Sequence, residues 1–127
     1  MELEAVTLSL NGSVHELAHL RSWARKHLRY AVAEQVDDVI AVLDELASNA
    51  LKHGAPPVLV RLRHRQGFVR VEVSDGSAEL ATPRTPTAEG GRGLYLIEGL
   101  SHSWGQRPSA TGKTVWAETV LDVDPGR

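Results

Sequence analysis

Five stretches of the chain have the alternation and composition of strands. The first, "AVTLSL", alternates apolar and polar residues from Val6. The next two, "VLVRLRHR" and "FVRVEVSD", flank the short turn Gln66-Gly67 and together predict a β-hairpin. Two more strands, "SHSWGQR" and "KTVWAETVL", are predicted near the end of the chain.

Two other segments repeat apolar residues at the spacing of an α-helix. The first helix is predicted to open at a capping box, in which Ser13 is followed three residues later by Glu16. The second is predicted from about Glu34 to His53, with Gly54 as its stop. Its apolar residues cluster on one side: Val36, Val39, Ile40, Leu43, Leu46, Ala47, Ala50 and Leu51.

The opposite side of the second helix carries Glu45, Asn49, Lys52 and His53. A solvated outer face is one interpretation, and it holds for most amphipathic helices. However, asparagine is a mediocre helix former, because its side chain competes for backbone hydrogen bonds. Its position inside this helix therefore favours a functional role.

Asp75 ends the second strand of the predicted hairpin. Continued alternation places it on the same face as Val69, Val71 and Val73. A carboxylate directed toward a core needs a hydrogen-bond donor. The donor is either the backbone of a turn at this position or a ligand, such as an exocyclic amine.

Residues 76–90 contain mostly Ser, Thr, Pro, Ala and Glu, with a single leucine. A connection of this length inside a compact domain is typical of a functional lid or a mobile segment. It is followed by "GGRGLYLIEGL", which predicts a glycine-rich turn that leads into a short helix. Free backbone N–H groups at a helix start favour anions, and glycines let phosphate oxygens approach the main chain.

Composition narrows the class of protein. The 127 residues predict one domain spanning residues 1–127, and the absence of cysteine excludes disulfides and thiolate metal sites. The 14 basic and 16 acidic residues argue against a nucleic-acid binder. No apolar run approaches the roughly 20 residues of a membrane helix, and no signal peptide is evident, so we expect a soluble, cytoplasmic protein without membrane contact.

Taken in order, three motifs resemble the ATP-binding boxes of the GHKL superfamily, which includes gyrase-type ATPases and histidine kinases. These are "ELASNALKHG", "VEVSDGS" and "GGRGLYL". The short length, the truncated lid and the strand "GKTVWAE" most resemble the small anti-sigma factor serine kinases of bacterial partner switching. We therefore expect a two-layer α/β sandwich of the Bergerat type, with a mixed, mostly antiparallel sheet and helices on one face.

The resemblance implies a role for four residues. Asn49 would bind Mg²⁺ through its amide oxygen, and the metal would bridge phosphate oxygens of ATP. Glu45 would be the general base that accepts the proton of the attacking hydroxyl. Asp75 would accept a hydrogen bond from the adenine amino group, and Thr114 would support that contact directly or through water.

The remaining implied site residues surround the phosphates and ribose of ATP. Gly91, Arg92, Gly93 and Leu94 would place backbone N–H groups around the triphosphate. Lys52 and His53 would lie near phosphate or ribose, without an assigned chemical role.

The first glycine box departs from the family pattern. That box commonly has the form Asp-x-Gly-x-Gly, whereas Asp75 is followed here by Gly76, Ser77, Ala78 and Glu79. Small anti-sigma relatives often relax this box as well. Gly76 is therefore kept as a nucleotide-binding residue, and a modest affinity for nucleotide is expected.

Two classes of function follow from the resemblance. In the first, the protein is an ATP-dependent serine/threonine kinase that phosphorylates an anti-sigma antagonist and so regulates transcription. In the second, it is a nucleotide-gated module that sequesters a sigma factor or another regulator without significant catalysis. Relatives also imply a homodimer contact through the first strand or the first helix.

The motif "HELAH", His15 to His19, competes with these interpretations because it matches the H-E-x-x-H pattern of zinc peptidases. Against that reading, Glu16 also serves the capping box with Ser13, and no compelling third ligand follows nearby. Ordinary histidines on a packed helix are the favoured interpretation.

The stretch "RLRHR" is rich in arginine, a composition also found in nucleic-acid-binding strands. Alternation places Arg61, Arg63 and Arg65 on a single strand face, without interleaved aromatic residues. A solvated face is favoured, with an acidic protein partner as the alternative.

Overall fold

The computed structural model describes residues 4–78 and 93–126, which contain all five predicted strands and all three predicted helices. The strands are β1 (Glu4–Leu10), β2 (Val58–Arg65), β3 (Phe68–Asp75), β4 (Ser103–Ser109) and β5 (Gly112–Thr119). The helices are α1 (Leu17–His27), preceded by a 3₁₀ turn at Val14–Glu16, α2 (Ala33–His53) and α3 (Gly93–Leu100).

The strands form one five-stranded sheet in the order β1-β2-β3-β5-β4. Every strand pair in this sheet is antiparallel, so the α/β fold and the mostly antiparallel sheet are confirmed, whereas the expectation that the sheet is mixed is wrong for the described residues. The hairpin register aligns Val60 with Val73 and Leu62 with Val71. Directly opposite residues share a face of the sheet, so this register collects the valines and leucines of β2 and β3 on one side.

The core lies between that inner face and the helices. Val60 and Leu62 of β2 pack with the apolar stripe of α2, which includes Leu43 and Ala47. The longest helix, α2, is amphipathic, as its sequence predicts, and polar residues occupy its other side. Within the described residues, none of the helices has both the length and the apolarity needed to cross a membrane.

The predicted capping box at Ser13 and Glu16 is confirmed. The Ser13 hydroxyl accepts a hydrogen bond from the backbone N–H of His15 at 3.1 Å. The Glu16 carboxylate accepts the N–H of Asn11 at 2.8 and 2.9 Å and that of Ser13 at 3.3 Å. The box therefore caps the 3₁₀ turn that leads into α1. His15 and His19 are both exposed.

The arginines of "RLRHR" follow the predicted alternation. Arg61 and Arg65 are exposed on the outer face of the sheet, and Arg63 lies 3.7 Å from Glu72. The solvated-face interpretation is therefore confirmed for Arg61 and Arg65, whereas Arg63 is half-buried and faces the buried carboxylate of Glu72.

His64 is the polar residue on the inner face of β2. It is only 3% exposed, and its Nδ1 lies 2.9 Å from the hydroxyl of Tyr30. Its Nε2 lies 3.7 Å from the Glu4 carboxylate and has no hydrogen-bond partner in the described part of the chain. Burial lowers the pKa of His64, an effect that Glu4 opposes and His27 reinforces. The ring is therefore held in its neutral form.

This environment predicts a pH-dependent free energy of unfolding. Because the pKa of His64 is lowered by folding, the stability due to its neutral ring is complete above the ordinary histidine pKa of about 6.5. It is lost as the pH falls through the lower pKa of the folded protein. We expect His64→Gln to show a smaller loss of stability than wild type between about pH 7.5 and 5.5 in denaturant titrations.

The matched control is His102→Gln, because the side chain of His102 is exposed. It should keep the wild-type pH dependence. Equal slopes for wild type and His64→Gln would contradict the assignment to His64.

Candidate functional site

The end of α2 meets the tip of β3 at a very short distance. The helix ends with the N–H of Gly54 bonded to the carbonyl of Ala50 at 3.0 Å. A Cβ at Gly54 would lie 2.5 Å from Cγ and 2.7 Å from Oδ2 of Asp75. Only a glycine allows this approach. Gly54 therefore both ends α2 and packs directly against the Asp75 carboxylate.

Asp75 is buried on the inner face, as the alternation predicts, with 6% of the residue exposed. Its Oδ1 accepts the backbone N–H of Ser77 at 2.8 Å, which is the turn interaction considered as one alternative. In addition, the ammonium of Lys113 lies 3.1 Å from Oδ1 and 3.0 Å from Oδ2. The protein itself therefore supplies the donors that the buried carboxylate needs.

Lys113 is a site residue that sequence reasoning missed. It is the direct partner of Asp75 in the antiparallel pair of β3 and β5, and only 7% of it is exposed. Its alternation with the buried residues Val115 and Ala117 was the available signal. The same period of two that placed Asp75 inside the protein also places Lys113 inside.

Thr114 requires a correction. It lies on the outer face of the sheet, where its hydroxyl is 2.8 Å from that of Ser74. Successive residues of a strand point to opposite faces, so Thr114 cannot support the side-chain contacts of Asp75. In the described residues, Lys113 takes the position expected for Thr114.

Glu45 and Asn49 are both half-buried on α2, one helical turn apart. Asn49 precedes Gly54 by five residues and Glu45 precedes it by nine, which correspond to about 7.5 Å and 13.5 Å along the helix axis. Neither side chain has a hydrogen-bonded or ionic partner among the described residues. The two side chains therefore extend along one rigid element away from the enclosed Asp75.

Three other predicted site residues lie near the junction of α2 and β3. Lys52 and His53 are exposed in the last turn of α2. The N–H of Gly76 donates to the carbonyl of Ala55 at 2.6 Å, which ties the end of β3 to the segment after α2.

The glycine-rich turn is only partly described. Gly93 and Leu94 begin α3, which packs against α2. The predicted contributions of Gly91 and Arg92 lie outside the described residues, as does most of the connection that precedes them.

Comparison with known proteins bears directly on this arrangement. The family profile described as "Histidine kinase-like ATPase domain" matches residues 10–119. The chain belongs to this family. Membership confirms the predicted resemblance to the GHKL superfamily and implies that the domain binds a nucleotide.

A crystal structure of the RsbU and RsbW domains of Rv1364c from Mycobacterium tuberculosis has a similar fold, with a TM-score of 0.70. The match has 19% sequence identity and covers 93% of this histidine kinase-like ATPase domain. The chain spans 33% of the length of that protein. No curated protein matches the sequence significantly.

The contact between Gly54 and Asp75 gives a testable result for this histidine kinase-like ATPase domain. We predict that Gly54→Ala lowers the free energy of unfolding by about 1–3 kcal/mol, because the new Cβ overlaps the Asp75 carboxylate. Denaturant titration would measure the change.

Gly99→Ala is the matched control. Gly99 is an exposed residue of α3, and a Cβ there meets nothing within 4 Å. Alanine should raise stability by about 0.5–1 kcal/mol, since glycine is unfavourable inside a helix. A Gly54→Ala protein as stable as wild type would show that the helix end does not enclose Asp75.

Proposed function

We propose that the domain binds ATP with Mg²⁺ and acts as an anti-sigma-factor-type serine/threonine kinase. Family membership and the fold shared with the structure that contains an RsbW domain support this function. The observation that carries it is the arrangement on α2. Glu45 and Asn49 lie half-buried along the helix whose end encloses the Asp75 carboxylate.

The phosphate end of the proposed site lies at Asn49. Its carboxamide is half-buried and has no hydrogen-bond partner among the described residues, so its oxygen suits a hard cation such as Mg²⁺. When bound, the metal would neutralise charge on the phosphates. Lys52 and His53, one turn farther along α2, supply donors near the phosphates or ribose.

Glu45 is the residue proposed to act in phosphoryl transfer. Its carboxylate would accept the proton of the attacking serine hydroxyl as the oxygen forms its bond to the γ-phosphorus and the bond to ADP breaks. In the described residues, the Glu45 carboxylate has no ionic partner that would hold it away from the attacking hydroxyl. The phosphoryl acceptor is proposed to be an anti-sigma antagonist protein.

One observation favours the second candidate function, a nucleotide-gated binding module without significant catalysis. The Asp75 carboxylate, at the proposed adenine end, is already bonded to Lys113. A base must compete with this contact, so occupancy by ATP would be low at modest concentrations. Under this alternative, the domain sequesters a sigma factor and ATP regulates the complex.

The proposed setting is the bacterial cytoplasm, with a sigma factor, its antagonist or both as partners. A homodimer is proposed through β1 or α1. In support, β1 is an edge strand of the sheet, and an edge has backbone groups free to pair with another chain.

A titration with ATP and Mg²⁺ tests the binding site. We expect Asn49→Ala to weaken ATP binding by roughly 1.5–3 kcal/mol with Mg²⁺, because a contact to a charged group is lost, and to have little effect without the metal. Asp75→Asn should weaken binding with or without Mg²⁺. Asn11→Ala, at an exposed residue outside the site, is the control. Unchanged affinity in both site variants would refute the assignment.

Transfer of labelled phosphate to a candidate antagonist tests the kinase function. We expect Glu45→Gln to reduce the transfer rate by about 10²–10⁴-fold while ATP binding persists, because general-base catalysis is removed. Glu34→Gln, which neutralises an exposed glutamate in the first turn of α2, should retain the wild-type rate. Tight partner binding with no transfer by the wild type would favour the binding module instead.

A further inference from the structure

A buried ion pair closes the end of the candidate site. The side chains of Asp75 and Lys113 are 2% and 7% exposed, and the ammonium contacts both carboxylate oxygens. Lys113 also approaches the carbonyl oxygen of Ser77 at 3.4 Å. Removing one member of such a pair leaves a buried, uncompensated charge. In the absence of any ligand, each of the two buried charges therefore depends on the other as its counter-ion.

The surroundings of Asp75 leave little space for an additional partner. Gly54 borders the carboxylate on the helix side, where even a Cβ would overlap it. Gly112, with φ of +153°, lies so close that a Cβ would collide with the carbonyl oxygen of Asp75. The Ser77 N–H already uses one acceptor position on Oδ1. In the part of the chain that the structure describes, the Lys113 ammonium is the donor that contacts both carboxylate oxygens, so an amine of a nucleotide base would compete with it for them.

We infer that Lys113 is an internal competitor of the nucleotide base and sets the affinity of the site. This inference rests on the proposed function, in which Asp75 accepts a hydrogen bond from the base. The ammonium and the base amine are both donors and require the same carboxylate oxygens. Binding of ATP thus requires Lys113 to withdraw or to share Asp75.

The position of Lys113 allows such a withdrawal. It is the second residue of β5, directly after Gly112, and its long side chain has several rotatable bonds. Its observed contacts in this site are the Asp75 carboxylate and the Ser77 carbonyl. The apparent affinity for ATP is the intrinsic affinity multiplied by the fraction of molecules in which the carboxylate is accessible. Lys113 thereby acts on affinity without any need to touch the phosphates.

Isothermal titration with ATP and Mg²⁺ tests the inference on the full chain. Lys113→Met removes the charge at similar length, and Lys113→Thr provides a second variant suited to a strand. We expect each to bind ATP about tenfold more tightly than wild type, or better, because the carboxylate no longer has an internal partner. Adding Asp75→Asn to Lys113→Met should abolish the gain.

Thermal unfolding supplies a second readout. Without ATP, Lys113→Met should have a lower Tm than wild type, because Asp75 is left buried and unpaired. ATP should raise the Tm of this variant more than that of wild type. Lys26→Met controls for the loss of one positive charge, since Lys26 is an exposed residue of α1. It should match wild type in both affinity and Tm.

The outcomes separate this inference from the proposed function. If wild type binds ATP and folded Lys113 variants bind equally or more weakly, the competition is refuted and the proposed function is retained. Weaker binding would indicate that the ammonium assists the base. If no folded variant binds ATP, the proposed function fails, and this inference fails with it.

Discussion

The contact between the end of α2 and the Asp75 carboxylate is the constraint on which the candidate site depends. It joins the longest helix to the central strand β3, and it is possible because Gly54 has no side chain. Once this contact is fixed, the helix axis sets the distances from Asp75 to Asn49 and Glu45. A change in the angle between helix and sheet would alter both ends of the site together.

The fold could be predicted from the sequence largely because apolar residues repeat clearly at the helical spacing in α2 and at every second residue in the strands. Apolar residues of α2 recur at helical spacing, and those of β2 and β3 alternate strictly, so the buried faces follow directly from the sequence. The inward direction of Asp75 was predictable for the same reason. The order of the strands is less local, because it depends on connections that no single stretch encodes.

The candidate site was only partly predictable, and the errors have one cause. The family resemblance implies a role for Thr114, but its position in β5 places it on the outer face beside Ser74. Lysine is seldom buried unless it is paired, so residue type alone gives no reason to place Lys113 inside the protein. Its partner became evident only through the register, which aligns it with Asp75. Strand parity and cross-strand register therefore decide that Lys113, and not Thr114, faces Asp75.

The two ends of the candidate site differ in whether the protein itself supplies a partner for the side chain. At Asn49, a neutral amide tolerates partial exposure without a hydrogen-bond partner among the described residues, so in the proposed function a ligand would bind there without displacing a described contact. Asp75 is charged and nearly inaccessible, so the empty protein needs a counter-ion beside it. Under the proposed function, the amine of a base would have to replace this contact with Lys113. Stability without nucleotide and affinity for nucleotide would then oppose each other at this carboxylate, because both would depend on the same two oxygen atoms.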